Sequence, residues 1–551
     1  MRQIRILALI MALAACNGTS GDDGGPPPGE NPPTPDTGPP PPNLVTYKNA
    51  GESAEADFTA GSEEYLVVPY STSTTAASGI SFDIKLGTAA AGDGGVGQSH
   101  FKLRYTPPVP LKVRNPKLWA EWQQRLALER WTRSLAEKAA GSKMRAPRAG
   151  LDSTLAACTL SSECQATEVC SAGQCASTVT LKTESFSATA TIDADVKAKG
   201  TIAAILVDSA DTVDQTNVDA MLKEFEELIY KRDVALFGNP PLKSGENTLS
   251  SDRNADGLIW LVFTSKVQEK NAVGFFVATD FDDTDAKSNK TDILYIDSGL
   301  TELKKAYTTI AHEFQHLLGF ATKVYKAKVN GGQGALEDLW LDEGMSHFAE
   351  DACGYGGENV TVLDQESFTS FDSTSLLGPD DTLAMRGMAF TFVRYIFEQK
   401  GGVTYASDGG ITDAGGAALL QQIHTTSKQG AEAVAEAYGK SFKDAFDGWI
   451  AAVSLDGRGL TSFSSYVFKD LVDDPKTGNK IGVKIRGTRK DDTGADVELK
   501  GPIENDLTAD VSDAIPNATG KFFVLKGQSG TVSVSVTTQE QDFRFALIKL
   551  K

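Results

Sequence analysis

The chain has 551 residues, 40% of them hydrophobic, so it is long enough to form more than one domain with a substantial core. Its 73 acidic residues outnumber the 53 basic ones, and the net charge of -20 disfavours binding to nucleic acid or to an anionic membrane surface. No phosphate-binding loop of the G-x-x-x-x-G-K-[ST] type and no G-x-S-x-G segment is present, which disfavours two common classes of enzyme site.

Residues 1–15 have the features of a cleaved export signal, because Arg2 and Arg5 precede an apolar run too short to span a bilayer. The sequence LAAC that follows resembles the bacterial lipobox, which implies cleavage before Cys16 and acylation of that cysteine. An ordinary signal peptide is the alternative. The Pro- and Gly-rich composition of residues 16–43 predicts a spacer after the lipidated cysteine. We therefore expect a lipoprotein of the bacterial cell envelope (outer membrane or cell surface), held by its lipid alone unless trimming releases it.

Residues 44–112 contain short strand-like pieces such as EEYLVVPYS and GISFDIKL, which predict an N-terminal β-sandwich-like domain. Residues 113–150 place Trp119, Trp122 and Trp131 at near-helical spacing among arginines, which predicts a basic amphipathic helix and a linker. This helix has three interpretations: a linker packed on a neighbouring domain, a cover for an acidic active-site cleft as in a latent precursor, or a membrane-surface helix. The segment GSKMRAPRAG is a candidate site for proteolytic cleavage.

Residues 151–178 form a cysteine-rich module too short to bury a core without covalent links. Its four cysteines predict two disulfides, with the pairing left open: Cys158, Cys164, Cys170 and Cys175. A second zinc site is the alternative, but the spacing lacks C-x-x-C pairs. Cys353 is expected to be a buried thiol.

Residues 179–455 contain the main chemical motif and are predicted to form the catalytic domain. His312, Glu313 and His316 form H-E-x-x-H within TELKKAYTTIAHEFQHLLGF, whose apolar residues recur as in an amphipathic helix. Because positions i and i+4 share one helix face, the two imidazoles can bind one Zn²⁺ while Glu313 reaches a water molecule there. A chance match on a solvated helix is the alternative, and the helical context favours the metal site.

A third ligand defines the type of zinc site. The histidine that would complete H-E-x-x-H-x-x-G-x-x-H is absent, since Thr322 occupies its position. The segment LEDLWLDEGMSHFAED is predicted to be a second helix, on which Glu343 is the preferred ligand. This choice gives a His₂Glu site with an open fourth position, and Asp342 or His347 is the alternative ligand.

The pairing of HEFQHLLGF with WLDEGMSHFAE resembles the hyicolysin-like zinc metallopeptidases, and its second half is similar to the WLNEG segment of gluzincins of the aminopeptidase N type. The resemblance extends upstream through DRNADGLIWLVFT and SNKTDILYID and downstream to MRGMAFTFVRYIFEQKGG. A G-A-M-E-N-type segment is absent and Ala384 replaces a tyrosine of those aminopeptidases, so an endopeptidase is favoured. The resemblance implies the zinc ligands His312, His316 and Glu343 and the catalytic acid/base Glu313.

The predicted reaction is peptide hydrolysis by a zinc-activated water, with Glu313 taking its proton and returning it to the leaving amine. The candidates for stabilising the oxyanion are His347, Tyr355 and His424. His347 and Glu350 are also candidates for orienting a metal ligand.

A calcium site is a weaker expectation. Asp252, Asn254 and Asp256 match the start of a calcium loop, but Phe263 stands where an EF-hand has glutamate, so an EF-hand is excluded. A turn with a partial Ca²⁺ site remains the hypothesis, and the acidic run at 280–285 is a second candidate.

Residues 456–551 again contain strand-like segments, which predict a C-terminal β-sandwich-like domain. The predicted fold class is an α+β zincin-like catalytic domain flanked by two β domains, with a small disulfide module. The predicted function is a zinc-dependent endopeptidase with one catalytic Zn²⁺, acting on proteins or peptides outside the cytoplasm. The alternatives are a surface-displayed binding or adhesion lipoprotein with a structural zinc site, or an aminopeptidase.

Overall fold

The structure, a computed structural model, describes residues 44–551 except 60–61, 76, 89–110, 148–157, 301, 360–364 and 492. The predicted signal peptide, Cys16 and the spacer lie outside the described residues. The fold is mixed α/β, with several sheets and many helices.

The strands are β1 Val45–Asn49, β2 Ser53–Phe58, β3 Glu64–Ser71, β4 Ile80–Thr88, β5 Val169–Ser171, β6 Gln174–Ala176, β7 Thr178–Lys182, β8 Thr191–Lys199, β9 Ala203–Asp208, β10 Ile259–Phe263, β11 Gly274–Phe276, β12 Ile293–Ile296, β13 Val403–Tyr405, β14 Ile411–Asp413, β15 Val472–Asp473, β16 Lys480–Ile481, β17 Arg486–Lys490, β18 Asp496–Lys500, β19 Glu504–Leu507, β20 Val511–Ile515, β21 Phe522–Lys526, β22 Gly530–Thr538 and β23 Phe543–Lys549.

The helices are α1 Leu111–Arg114, α2 Pro116–Gly141, α3 Gln215–Glu224, α4 Tyr230–Phe237, α5 Leu303–Phe320, α6 Ala327–Val329, α7 Leu339–Ala352, α8 Gly357–Asn359, α9 Gln365–Thr369, α10 Leu383–Gln399, α11 Gly416–Thr425, α12 Gly430–Tyr438 and α13 Phe442–Leu455. Turns of π-helix lie at Phe225–Ile229 and Ala321–Lys326. Short 3₁₀ turns lie at Ser161–Glu163, Ser265–Lys270, Ala278–Phe281, Phe371–Ser373 and Ser464–Tyr466.

Strands from both ends of the described chain build one two-sheet sandwich. One sheet has the order β1-β23-β3-β21-β19 and the other the order β2-β22-β4-β20. Alternate strand residues face inward, so side chains such as Ile84, Phe523 and Val534 are fully buried between the sheets. The sequence predicts two separate β domains at 44–112 and 456–551. The structure differs, because the apolar faces of the N-terminal strands are covered and paired by strands from the C-terminal end.

A six-stranded sheet with the order β11-β12-β10-β9-β8-β7 forms the centre of the molecule. Strands β9, β10 and β12 are parallel neighbours, and β9 and β10 are continuous apolar runs, as expected for strands covered on both faces. One face packs on helix α5 through residues such as Leu261 and Phe314, both fully buried. The opposite face includes Trp260 and packs against Trp131 of α2.

Helix α7 packs against both α5 and α10, and this places the two predicted site helices side by side. The approach of α7 to α10 requires glycine at position 344, since a Cβ built there would lie 3.0 Å from backbone atoms of Ala389. The residue before this glycine is Glu343, so the close packing fixes the direction of its side chain.

The cysteine-rich module contains the two expected disulfides, Cys158 to Cys170 and Cys164 to Cys175. This finding resolves the pairing that the sequence leaves open. Cys353 is a buried free thiol, as expected.

Candidate metal centre

Helix α5 carries the two histidines of the motif on one face, where Nε2 of His312 and Nε2 of His316 lie 3.2 Å apart. Apolar residues of the same helix, among them Ile310, Phe314 and Leu317, are buried in the core and fix its orientation. Two nitrogen ligands 2.0–2.1 Å from a tetrahedral zinc ion are separated by about 3.3 Å. The spacing of the two imidazoles therefore fits a shared Zn²⁺.

The tautomers of the two histidines also favour a shared cation. Nδ1 of His312 lies 2.7 Å from a carboxylate oxygen of Glu350, and Nδ1 of His316 lies 3.4 Å from one of Asp342. If each Nδ1 carries the proton that its carboxylate accepts, the Nε2 atoms of His312 and of a neutral His316 present lone pairs to each other. Two facing lone pairs repel unless a metal ion or a proton lies between them.

Glu343 of α7 lies beside both histidines. One of its carboxylate oxygens is 3.6 Å from Nε2 of His312, and the other is 3.9 Å from Nε2 of His316. The former oxygen also lies 2.6 Å from Nη1 of Arg386, an ion pair that lacks hydrogen-bond geometry. Arg386 is fully buried and binds Asp381 as well. The structure thus brings together the three side chains that the sequence predicts as ligands.

Glu313, which the sequence predicts as the general base, is buried on helix α5. Its Oε2 atom accepts a hydrogen bond of 3.0 Å from the backbone N–H of Phe276, at the end of β11. Burial, reinforced by the neighbouring Glu129 carboxylate, raises the pKa of Glu313 well above its ordinary value. A carboxyl group with a raised pKa can hold and return a proton near neutral pH.

Glu350 connects several groups behind His312. It lies 2.8 Å from Nη2 of Arg125 and 3.2 Å from Nδ1 of His347. Burial acts to raise the pKa of Glu350, but His347 and Arg125 outweigh it and hold that pKa well below the usual range. Burial lowers the pKa values of His312 and His347 to about 4, so both imidazoles are neutral at pH 7. A neutral His312 is in the form that binds metal.

His316 shows the opposite pKa shift. Burial acts to lower its pKa, yet Asp342, Glu343 and Glu313 together raise it to about 10. The carboxylates around this imidazole therefore form a region of concentrated negative charge, which a divalent cation would neutralise.

Helix α2 contributes a carboxylate that the sequence analysis did not single out. Oε1 of Glu129 lies 3.6 Å from Nε2 of His312, and Glu129, His312 and His316 form a group compact enough to hold one metal ion. Arg125 precedes Glu129 by one helical turn, an i, i+4 pair visible in the sequence, at 3.9 Å. That pair is the sequence feature that could have drawn attention to Glu129, but it does not show that this turn of α2 faces the histidines.

Two other compact groups occur among the described residues. His312, His347 and Glu350 form one, which shares an imidazole with the centre already described. Cys158, Cys164 and Cys175 form the other, but both disulfides use these sulfurs and leave no thiolate for a metal.

The remaining oxyanion candidates differ in position. His424 lines a cavity together with Glu313 and His316, and its Nδ1 atom finds no hydrogen-bond partner among the described residues. Tyr355 instead directs its hydroxyl to Glu224, and it lines neither of the cavities beside Glu313. The geometry therefore favours His424 over Tyr355.

The calcium candidates are engaged in other interactions. Asp256 accepts hydrogen bonds from Ser161 and from the indole of Trp260. Asn254 accepts from the backbone of Asp256, and Asp252 accepts from that of Gly257. Within the described part of the chain, Asp252 and Asp256 belong to no group compact enough to hold a metal ion.

No family model matches this chain, and no curated protein matches it either. Among the helices of the described ranges, none combines the length and the apolarity that crossing a bilayer demands.

Proposed function

We propose that this protein is a zinc-dependent endopeptidase with a zincin-like catalytic domain, exported as a lipoprotein and acting on proteins outside the cytoplasm. The observation that carries the proposal is the pair of Nε2 atoms of His312 and His316, 3.2 Å apart, with Glu343 beside them. Glu313 on the same helix then supplies the acid/base group. A metal site that only stabilised the fold would not need this second carboxyl group.

Each side chain of the centre has its own role in hydrolysis. A bound Zn²⁺ would polarise the scissile carbonyl and acidify a water molecule. Glu313 accepts the proton of the attacking water and delivers it to the leaving amine, while the N–H of Phe276 holds its carboxylate in place. Glu350 keeps the Nδ1 proton of His312, which leaves Nε2 free as a ligand atom.

One observation favours a second candidate function. The carboxylate of Glu129 lies beside the histidines, so four protein groups surround the centre. A closed four-ligand zinc site is typical of a structural role. On this alternative the protein is a surface-displayed binding or adhesion lipoprotein.

Casein hydrolysis and bound zinc, measured on the same preparations, test the proposal. Both the natural chain and Glu129→Ala are assayed, because Glu129 lies in the centre. In each background Glu313→Gln should retain zinc and lose at least about 100-fold in kcat, the usual contribution of general acid/base catalysis. Glu302→Gln is the matched control, since Glu302 is exposed at the start of the same helix. If every variant binds zinc and none hydrolyses casein, the result would support the alternative of a structural zinc site.

A further inference from the structure

We propose that helix α2 is an autoinhibitory element whose Glu129 carboxylate is a zinc ligand in the resting protein. The proposal rests on the zinc centre of the proposed function. It assigns a role to a helix that otherwise has three interpretations, and to a carboxylate outside the H-E-x-x-H and W-L-D-E-G segments.

The first argument is electrostatic. Glu129 is 3% exposed, and its carboxylate shares one small site with those of Glu313 and Glu343. Burying like charges together is unfavourable unless a cation compensates them. The nearest guanidinium on its own helix, that of Arg125, is 3.9 Å away and is engaged at 2.8 Å with Glu350. A divalent ion between Glu129 and the two histidines would add positive charge to that of Arg386, which is paired with Glu343.

The second argument is the position of the helix in the cleft. Two cavities flank α2, one lined by His316 and His424 and the other by Gly274 and Thr309. Glu129 and Glu313 line both cavities. The turn of α2 that carries Glu129 therefore lies between two cavities that both reach Glu313, where a substrate would have to lie.

The third argument is that α2 is fixed on both sides of Glu129. Arg125 binds Glu350 at 2.8 Å, and Nη1 of Arg133 lies 3.6 Å from Asp342. These two arginines contact carboxylates that themselves contact the Nδ1 atoms of the histidines. Arg125, Glu129 and Arg133 lie on successive turns of α2. Glu129 contacts His312, and each arginine contacts a carboxylate beside one of the two histidines.

The fourth argument concerns the chain around α2. The strands before it, β1–β4, pair with C-terminal strands, and β7 after it belongs to the central sheet. Cleavage beyond α2 would therefore leave the N-terminal strands in the sandwich while cutting the chain between the helix and β5. Lys143 and Arg145 are exposed just after the helix ends. We expect cleavage at this position to let α2 move away from the metal centre and expose it.

Cobalt substitution tests the ligand directly, without relying on activity. The visible spectrum of Co²⁺ reports its ligands, and acetohydroxamic acid changes it most readily where a position is open. Addition of this probe should leave the spectrum of the natural chain unchanged and should shift that of Glu129→Ala. Lys117→Ala is the control, because Lys117 is an exposed charged residue on the same helix and lines neither of the two cavities. It should behave as the natural chain does.

Casein hydrolysis by the zinc forms of the same variants provides the second readout. If the helix is seated in more than about nine molecules in ten, Glu129→Ala should raise activity by roughly tenfold or more. A spectrum that responds to the probe equally in the natural chain and in Glu129→Ala would overturn the proposal, whatever the activity. A probe response confined to Glu129→Ala, without hydrolysis by any variant, would support the Glu129 ligand while contradicting the endopeptidase function.

Discussion

Helices α7 and α2 each bring one carboxylate to the same pair of histidines, but they are built differently. Helix α7 has 12 of its 14 residues buried, whereas α2 has five of its 26 buried. Glu343 lies in a helix that the core surrounds, and Glu129 lies in one that covers the cleft from outside. The first carboxylate is therefore part of the framework of the site, and the second belongs to a mostly exposed helix that Leu128 and Trp131 pack onto the six-stranded sheet.

The cations beside the two carboxylates show the same difference. Arg386, next to Glu343, is fully buried and also binds Asp381 with two hydrogen bonds. The side chain of Arg125, next to Glu129, is 22% exposed. Water can reach a partly exposed guanidinium and reduce the cost of losing its ion pair, whereas a fully buried charge has no such substitute. The comparison predicts that α7 determines metal affinity and fold stability, and that α2 determines whether a substrate can reach the metal centre.

The largest expected effect is on zinc affinity. Glu343→Gln should weaken zinc binding by at least about 100-fold, more than the loss typical of residues that only orient a ligand. Glu129→Gln should weaken zinc binding less than Glu343→Gln does, because His312, His316 and Glu343 remain. Competition with a chromophoric chelator measures both values. A larger loss of zinc affinity for Glu129→Gln than for Glu343→Gln would mean that α2, and not α7, carries the ligand that determines the affinity.

The next effect is on stability. Arg386→Met should cost about 3–5 kcal/mol in the free energy of unfolding, because it leaves Glu343 and Asp381 buried without their cation. Arg125→Met should cost about 1.5–3 kcal/mol, the range for a hydrogen bond to a charged group. Urea unfolding measures both, with the exposed Lys490→Met as a control expected to change little.

Added zinc should change the stability of these two arginine variants by different amounts. Saturating zinc should restore part of the stability lost in Arg386→Met, since the ion supplies positive charge at Glu343. Equal losses in the two variants, with and without zinc, would mean that α2 is as much a part of the framework as α7.

The local elements of the site are predictable from the sequence. The helix predicted at 301–320 is observed at Leu303–Phe320, and the one predicted at 336–351 is observed at Leu339–Ala352. Hydrophobic periodicity determines such segments within one or two turns. His312, Glu313 and His316 are close together for the same local reason, because a single helix carries them.

Contacts between distant segments are not predictable in this way. Arg125 and His312 are 187 residues apart in sequence, and no periodicity of α2 reveals which of its turns enters the cleft. The sandwich is a similar case, because Val45 pairs with Ile548. Each strand pattern predicts a strand with one apolar face, but partner strands and register depend on packing across the whole chain.

The smallest expected effect concerns the far end of α2, where Lys138 contacts Asp285 at 2.6 Å. Burial acts to raise the pKa of Asp285, but its hydrogen bonds with Lys138 and with the backbone of Lys287 lower it below the ordinary value of 3.8. A carboxyl group with a lowered pKa stabilises the folded state above its unfolded pKa, and this contribution is lost as the pH falls through the folded value. Lys138→Ala should therefore cost less than about 1 kcal/mol at pH 7, and less still below pH 3.8 or in about 1 M salt.

Urea unfolding of Lys138→Ala at two pH values and two salt concentrations checks this prediction, with Glu129→Ala measured in parallel. If α2 is a cover held mainly near the metal centre, the two variants should differ in activity far more than in stability. A cost at Lys138 that persists in high salt would instead mean that the end of α2 is held by packing, since only a screened charge pair weakens under those conditions. In that case the helix would have to be cut, and not merely displaced, before the centre could open.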